Sequence, residues 1–192
     1  MNMRNRIFTG GTAVAVAALV VGLTTAGVAQ QDKSKRPSPP ATADVTLKSK
    51  KITVDYSRPK IADPKTGQAR KIFGGLVPYG EVWRTGANEA TTLKTDADLD
   101  INGTTVPAGT YTLYTLPSAD KWKLIISKKT GQWGIPYPGE SEDFARVPMQ
   151  GGRVDKIVDP FTISLDKKSE TEATLHIAWD STDEWVPVKL KK

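Results

Sequence analysis

Hydrophobic and polar positions alternate with a period of two along most of the chain from about residue 50 onward. In the clearest case, Ile52, Val54 and Tyr56 alternate with polar neighbours. Successive side chains of a β-strand point to opposite faces of the sheet, so this period predicts strands with one buried face. The same alternation recurs in four later segments, 111–116, 121–126, 161–166 and 174–179.

Turn signals separate these segments. Asn102-Gly103 lies between two short apolar runs, which is a strong sequence signal for a β-hairpin. Further turns follow at 107–109 and 117–120, so a meander of about four strands is expected from Thr91 to Ser127. No window has a helical period, and 140–145 has room for one short turn at most. We therefore predict an all-β fold, an antiparallel, jelly-roll-like β-sandwich.

The N-terminus has the pattern of an export signal. Arg4 and Arg6 precede an apolar run from Ala13 to Leu23, and Gly27-Val28-Ala29 forms a small-residue cleavage site. The run is shorter than the roughly 20 residues of a membrane-spanning helix, although an uncleaved anchor is the alternative. We predict a signal peptide over 1–29, export to the periplasm or medium, and no stable membrane insertion after cleavage.

Residues 30–42 have the composition of a linker that is disordered or extended. They contain three prolines and three basic residues but no large apolar side chain. Such a segment cannot bury enough surface to offset the entropy of ordering. The remaining residues, 43–192, suffice for one domain with one core.

Composition excludes several kinds of chemistry. The chain has no cysteine and one histidine, His176, so it lacks the ligands of a typical zinc site and has no thiol nucleophile. We predict no metal and no cofactor. The formal net charge is +6, but the basic residues are scattered and mostly lysine, which argues against nucleic-acid binding.

The segment 70–92 is unusually rich in functional side chains for a loop. It combines glycine turns with aromatic, arginine, amide and carboxylate groups, which a simple connection does not need. Arginine matches carboxylate or phosphate geometry, and tryptophan offers a flat stacking surface. Trp133 and Tyr137 of a second glycine-rich loop would form the opposite wall. The candidate ligand-binding residues are Arg58, Arg70, Tyr79, Trp83, Arg84, Asn88, Glu89, Trp133 and Tyr137.

A structural interpretation of the same segment is equally open. Trp83 would then plug one end of the sandwich, and Arg84 would pair with Glu89. Gly86 between them allows the chain to reverse, so we expect the two charges to meet. Breaking such a buried pair would cost about 3–5 kcal/mol.

Several peptides of the chain resemble the bacterial domain-of-unknown-function family 2911. They are ITVDYSRP, KIFGGLVPYGEVWRTGANEATTL, VPAGTYTLYTLP, WKLIISKKTGQWGIPYPGE and ARVPM, which span Ile52 to Met149 in order. The resemblance implies an exported envelope protein with a small all-β domain and no assigned activity. Members often begin the domain with Ser-Pro-His, where this chain reads Ser38-Pro39-Pro40.

Three functions follow from these observations. The leading one is a non-enzymatic module that binds an extracytoplasmic ligand or protein through the Trp83–Glu89 loop. The second is a hydrolase of glycan or peptide that uses a carboxylate pair such as Glu81 and Glu89, which would have to face each other about 5–10 Å apart. The third is a purely structural envelope domain.

Overall fold

The computed structural model describes residues 32–191, so the predicted signal peptide lies outside the described residues. Ten strands make up almost all of the regular structure. They are β1 (Pro40–Leu47), β2 (Lys50–Ser57), β3 (Thr92–Thr95), β4 (Leu99–Ile101), β5 (Thr104–Val106), β6 (Gly109–Leu116), β7 (Lys123–Ser127), β8 (Asp143–Pro148), β9 (Gln150–Lys167) and β10 (Glu172–Leu190). Two short 3-10 helices, Lys33–Lys35 and Glu140–Glu142, complete the list.

The strands form two antiparallel sheets that pack face to face. The six-stranded sheet has the order β1-β2-β3-β6-β7-β8, and the four-stranded sheet has the order β5-β4-β10-β9. The hydrophobic core lies between them and takes side chains from both sheets. The predicted antiparallel β-sandwich is confirmed.

The alternating positions fall where the period of two places them. Ile52, Val54 and Tyr56 of β2 are 1%, 0% and 7% exposed, whereas the residues between them face outward. On β10, Leu175 and Ile177 are equally buried, and His176 between them is not. These strands contribute one apolar face each to the core.

The predicted hairpin at Asn102-Gly103 is also present, between β4 and β5. Both residues have positive φ, 47° and 85°, as two-residue hairpin turns require. The meander from 91 to 127 contains five strands rather than about four, because β4 and β5 leave the first sheet and join the second.

The outer face of β6 and β7 differs from a simple half-buried strand. Tyr114 and Ile125 point away from the core, yet they are 1% and 0% exposed. Residues 128–139 fold over this face, where Tyr137 packs edge-on against Tyr114 with 5.2 Å between ring centroids. Gln132 Nε2 also donates to the Tyr114 hydroxyl at 3.3 Å.

The linker predicted over 30–42, disordered or extended, is extended at its end, and its boundary with the domain needs correction. Its last residues, from Pro40, are the start of β1, which pairs with β2 along its whole length. The residues just before are held by hydrogen bonds, including Arg58 N to the Pro39 carbonyl at 2.9 Å. Composition missed this because strand pairing and ion pairs, rather than apolar burial, fix the segment.

Within residues 32–191, no helix is long and apolar enough to cross a membrane.

Candidate functional site

The connection between β2 and β3, residues 58–91, is the longest in the domain. Loops of more than about 15 residues are uncommon in compact domains and often functional. This one is tied down along its length: Trp83 bridges to Thr115 of β6, and Glu89 bridges to Trp133. A long loop with such anchors can present side chains in fixed positions.

One side of this connection lines the main cavity of the domain, which has a volume of about 710 Å³. The N-terminal segment adds Lys35, Pro37 and Ser38, the 128–139 loop adds Ile135, and β10 adds Trp179. Cavities that bind small molecules commonly measure about 300–1,000 Å³ and are mainly apolar. The size of this cavity falls in that range.

A cluster of five aromatic rings supports the cavity. Trp83 stacks on Trp179, with ring centroids 5.8 Å apart and planes 16° apart. Phe73, Trp122 and Phe161 contact this pair edge-on. Of the five, Trp83 and Trp179 reach the cavity wall. This packing supports the expectation that Trp83 fills one end of the sandwich, while part of its ring system still faces the cavity.

Arg84 lies in the cavity wall with most of its hydrogen-bonding capacity unused. Its Nε donates to the Gly86 carbonyl at 3.3 Å, and neither Nη nitrogen makes a hydrogen bond within residues 32–191. No carboxylate of the described residues lies within 4.0 Å of it. Burial is what lowers the pKa of the Arg84 guanidinium from its ordinary value, and no neighbouring carboxylate raises it. Among the described residues, the side chain is therefore a partly buried cation without a counterion.

Gly134 fixes the stem of Arg84. A Cβ added at Gly134 would lie 2.8 Å from Cδ and 3.0 Å from Cβ of Arg84, so only glycine allows this approach. The Gly134 amide also donates to the Asn88 carbonyl at 3.1 Å. The 128–139 loop thus packs closely against the aliphatic part of Arg84, a residue of the cavity lining.

Arg70 also lines the cavity, but its donors are occupied. Its Nε and Nη2 donate to the carbonyls of Ile61 and Lys60 at 3.1 and 2.7 Å, and Nη1 lies 4.0 Å from Asp63. These contacts hold the 60–70 part of the loop together. Arg70 is a structural member of the wall.

Glu89 has a different environment from Arg84, and the predicted pairing of the two is wrong. Both oxygens of Glu89 accept from Arg36 Nη1 at 2.9 Å, and Lys33 Nζ lies 2.9 Å from Oε1. Arg36, then Lys33, lower the pKa of Glu89 to about 2. Glu89 therefore anchors the N-terminal segment. Its ion pairs are with Arg36 and Lys33, which lie more than 50 residues away in sequence, and not with Arg84.

Two further predicted ligand-binding residues serve the fold. Arg58 Nε donates to the Phe161 carbonyl at 3.1 Å and its Nη2 to Thr162 Oγ1 at 2.9 Å, which joins the end of β2 to β9. Asn88 Nδ2 donates to the Ser38 carbonyl at 2.9 Å. Neither side chain lines the cavity.

The three remaining predicted residues also lie outside the cavity. Tyr79 and Trp133 are 47% and 50% exposed. Tyr137 accepts from Arg146 Nη2 at 3.0 Å and donates to Asp143 at 2.7 Å; its burial and Asp143 raise its pKa to about 12. The expectation that Trp133 and Tyr137 form the opposite wall is corrected, since Ile135 between them does so instead.

The carboxylate pair proposed for hydrolysis is not assembled. Glu81 is an exposed residue of the main cavity, whereas Glu89 lines a separate depression of about 260 Å³. Glu89 is moreover occupied by two cations. His176 lies on β10 outside both, with Nδ1 3.0 Å from Asp183. The described part of the chain contains no cluster of three or more acidic or histidine residues suited to a metal.

Several cavity residues have no functional signal in the sequence. Lys35, Pro37 and Ser38 lie in the predicted linker, and Lys60 and Ile135 belong to no recognisable functional motif. Trp179 was expected on the buried face of a strand, which is correct, but its place in the cavity wall depends on contacts with distant residues.

Fold and site together define a class: an antiparallel β-sandwich whose long β2–β3 connection lines a mainly apolar cavity with two partly buried arginines, Arg70 and Arg84. A family model described as "Protein of unknown function (DUF2911)" matches residues 38–188. The chain therefore belongs to this family, and the resemblance noted in the sequence is confirmed. Comparison with curated proteins gives no match, and comparison with solved structures gives none either.

Proposed function

We propose that the protein is a non-enzymatic binding module of the exported envelope fraction, and that its ligand enters the cavity lined by Trp83 and Arg84. The observation that carries this proposal is Arg84. Burying a charge without a partner costs free energy, and natural proteins usually avoid it unless a partner or ligand supplies the compensation. Here a partly buried cation that has no partner carboxylate within residues 32–191 lies in the wall of the main cavity.

The shape of the site supports binding rather than hydrolysis. Glu81 and Asp63 are the acidic residues of the cavity lining, and Asp63 is turned toward Arg70 at 4.0 Å. A general acid needs a partly buried carboxyl with a raised pKa, and its partner must face it across the cleft. Glu81 is exposed and Glu89 lies elsewhere, so the hydrolase alternative has no assembled pair behind it.

The purely structural alternative accounts for one half of the loop. Glu89, Asn88 and Arg58 hold the fold together through the contacts described above. Arg84 and the cavity-facing part of Trp83 have no such explanation. A domain with only a structural role would gain stability by filling the cavity or by giving Arg84 a carboxylate.

Binding of the dye anilinonaphthalene sulfonate tests the proposal, because the dye carries an aromatic body and one anionic group. Its fluorescence should rise with the wild-type domain and fail to rise with Val82→Trp or Ala62→Phe, which place a ring in the cavity. Val82 and Ala62 are partly buried lining residues. Val154→Trp, on β9 and outside the cavity, is the matched control and should bind the dye normally. Equal fluorescence with all four proteins would contradict the proposal.

A further inference from the structure

The chemistry of the cavity is specific enough to name a class of ligand. Its lining contains four cationic side chains, Lys35, Lys60, Arg70 and Arg84, and two anionic ones, Asp63 and Glu81. The lining thus has an excess of positive charge. A bound ligand should be anionic on electrostatic grounds.

The four cations are not equivalent. Lys35 and Lys60 are exposed, so water hydrates and screens them. Arg70 donates hydrogen bonds from Nε and Nη2 to two backbone carbonyls, and its Nη1 lies near Asp63. Only Arg84 combines partial burial with two Nη nitrogens that make no hydrogen bond within the described chain. Among the described residues, the cavity therefore provides one partly buried guanidinium whose two Nη nitrogens can donate to an anion.

A single guanidinium fork favours a carboxylate. Two parallel N–H groups match the two oxygens of a carboxylate, and one cation neutralises one negative charge. A phosphate monoester would carry up to two charges into a cavity whose lining also contains Asp63 and Glu81. The monoanion fits the available donors better.

The rest of the ligand should be apolar. Apart from the charged groups, most of the lining is apolar, as Leu76, Val77, Val82 and Ile135 illustrate. Leu76 and Ile135 are 49% and 57% exposed, which is high for aliphatic side chains at the edge of a cavity. A ligand body that covers them would remove apolar surface from water, which favours binding.

We infer that the ligand is a monocarboxylate with an apolar body, whose carboxylate binds the Arg84 fork while its body packs against Trp83 and the aliphatic residues at the edge. This inference rests on the proposed function. It adds a role for Gly134, which keeps the Arg84 stem in place and is therefore a positioning residue.

Two probes of the same shape test the class of ligand. Naphthylacetate is a carboxylate, and naphthylacetamide is its neutral analogue. Calorimetric titration of the wild-type domain at pH 7 should find the carboxylate at least about tenfold tighter, since a hydrogen-bonded charge pair exceeds a neutral one by that order. Naphthyl phosphate should bind more weakly than the carboxylate.

Substitutions test whether Arg84 causes the difference in affinity between naphthylacetate and naphthylacetamide. Arg84→Gln should weaken naphthylacetate by about tenfold and leave naphthylacetamide within about twofold. Arg84→Lys, which keeps the charge but loses the fork, should give an intermediate affinity. Arg153→Gln removes an exposed arginine of β9 and should change neither. Gly134→Ala should weaken the carboxylate selectively, because its methyl group displaces Arg84.

The outcomes separate the two proposals. Equal binding of carboxylate and amide, both lost in Val82→Trp, would overturn the carboxylate and keep the cavity as the binding site. Binding that persists in Val82→Trp and Ala62→Phe would overturn the cavity itself. If naphthyl phosphate bound more tightly than naphthylacetate, the inference that the ligand is a monoanion would be wrong. Failure of both naphthylacetate and naphthylacetamide to bind the wild type would overturn the inferred ligand class.

Discussion

Arg84 and Glu89 stand near the two ends of the Trp83–Glu89 segment and have opposite surroundings. Glu89 accepts hydrogen bonds from Arg36 and lies 2.9 Å from Lys33, so two cations surround one carboxylate. Arg84 lies in a cavity wall and has no carboxylate within 4.0 Å in residues 32–191. Sequence proximity and opposite charge suggested one pair, but the fold keeps them apart.

The contrast between these two environments indicates which of the two charged side chains is available to a ligand. The bonds of Glu89 hold the N-terminal segment, whose Lys35, Pro37 and Ser38 then become part of the cavity wall. Gly134 packs against the aliphatic stem of Arg84, and neither Nη nitrogen of Arg84 makes a hydrogen bond within residues 32–191. One end of the segment thus anchors part of the cavity wall, and the other end carries the cation that we propose binds the ligand.

The largest expected effect on stability concerns Trp83, whose aromatic contacts support the cavity. Trp83→Ala removes a ring packed against four other aromatic rings and should lower the free energy of unfolding by about 3–5 kcal/mol. Trp133→Ala, in the second loop and 50% exposed, is the matched control and should cost less than about 1 kcal/mol. Urea denaturation measures both. Equal costs would show that Trp83 is a surface residue and that the cavity lacks an aromatic support.

The second largest effect concerns Glu184, a buried carboxylate that extends the comparison between charges with and without a partner. Glu184 of β10 is 4% exposed, and its burial, then Asp183, raise its pKa from 4.5 to about 7. An acid whose pKa is raised by folding destabilises the fold once it ionises. Its penalty is absent below pH 4.5 and is complete above pH 7.

Glu184→Gln should therefore stabilise the domain at pH 8 by up to about 3 kcal/mol and give no gain at pH 4. Unfolding in urea at both pH values measures the change. Glu81→Gln alters an exposed carboxylate and should stay within about 0.5 kcal/mol at either pH. A gain from Glu184→Gln that is the same at both pH values would contradict the assignment.

The third effect is the anchoring of the N-terminal segment. Glu89→Gln should cost about 1 kcal/mol at pH 7, a modest value because the Glu89 side chain is 40% exposed and water screens its ion pairs. The folded pKa of Glu89 is lowered, so its contribution is present above pH 4.5 and is lost as pH falls toward 2.

The difference in unfolding free energy between wild type and Glu89→Gln should thus shrink between pH 4.5 and 2. Arg36→Gln should reproduce the loss at pH 7, and combining the two substitutions should add little more, because they break the same contact. A constant difference across this pH window would mean that Glu89 stabilises the fold by something other than its charge.

The sequence predicted the local structure well and the long-range pairings poorly. The buried face of β2 is predicted by the alternation of Ile52, Val54 and Tyr56, and the hairpin is predicted by Asn102-Gly103. Both signals depend only on residues that are near neighbours in sequence. The family and the sandwich also followed from such short peptides.

What could not be predicted depends on residues that are distant in sequence. Arg36 and Glu89 are separated by 53 positions, so nothing local indicated their bond. Likewise, the buried outer position of Tyr114 requires the 128–139 loop to fold over it. Of the predicted site residues, Arg70, Trp83 and Arg84 meet at the cavity, and the others serve as contacts elsewhere.

The smallest expected effect tests the central claim most directly: that Arg84 and Glu89 act separately. A double-mutant cycle at pH 7 compares the unfolding free energies of wild type, Arg84→Gln, Glu89→Gln and the double variant. Arg84→Gln should raise stability by less than about 0.5 kcal/mol, because it removes a partly buried charge that water still screens, and the two substitutions should be additive within about 0.3 kcal/mol. Coupling of about 0.5 kcal/mol or more would contradict the account, since it would mean that Arg84 and Glu89 interact and that Arg84 is not free for a ligand.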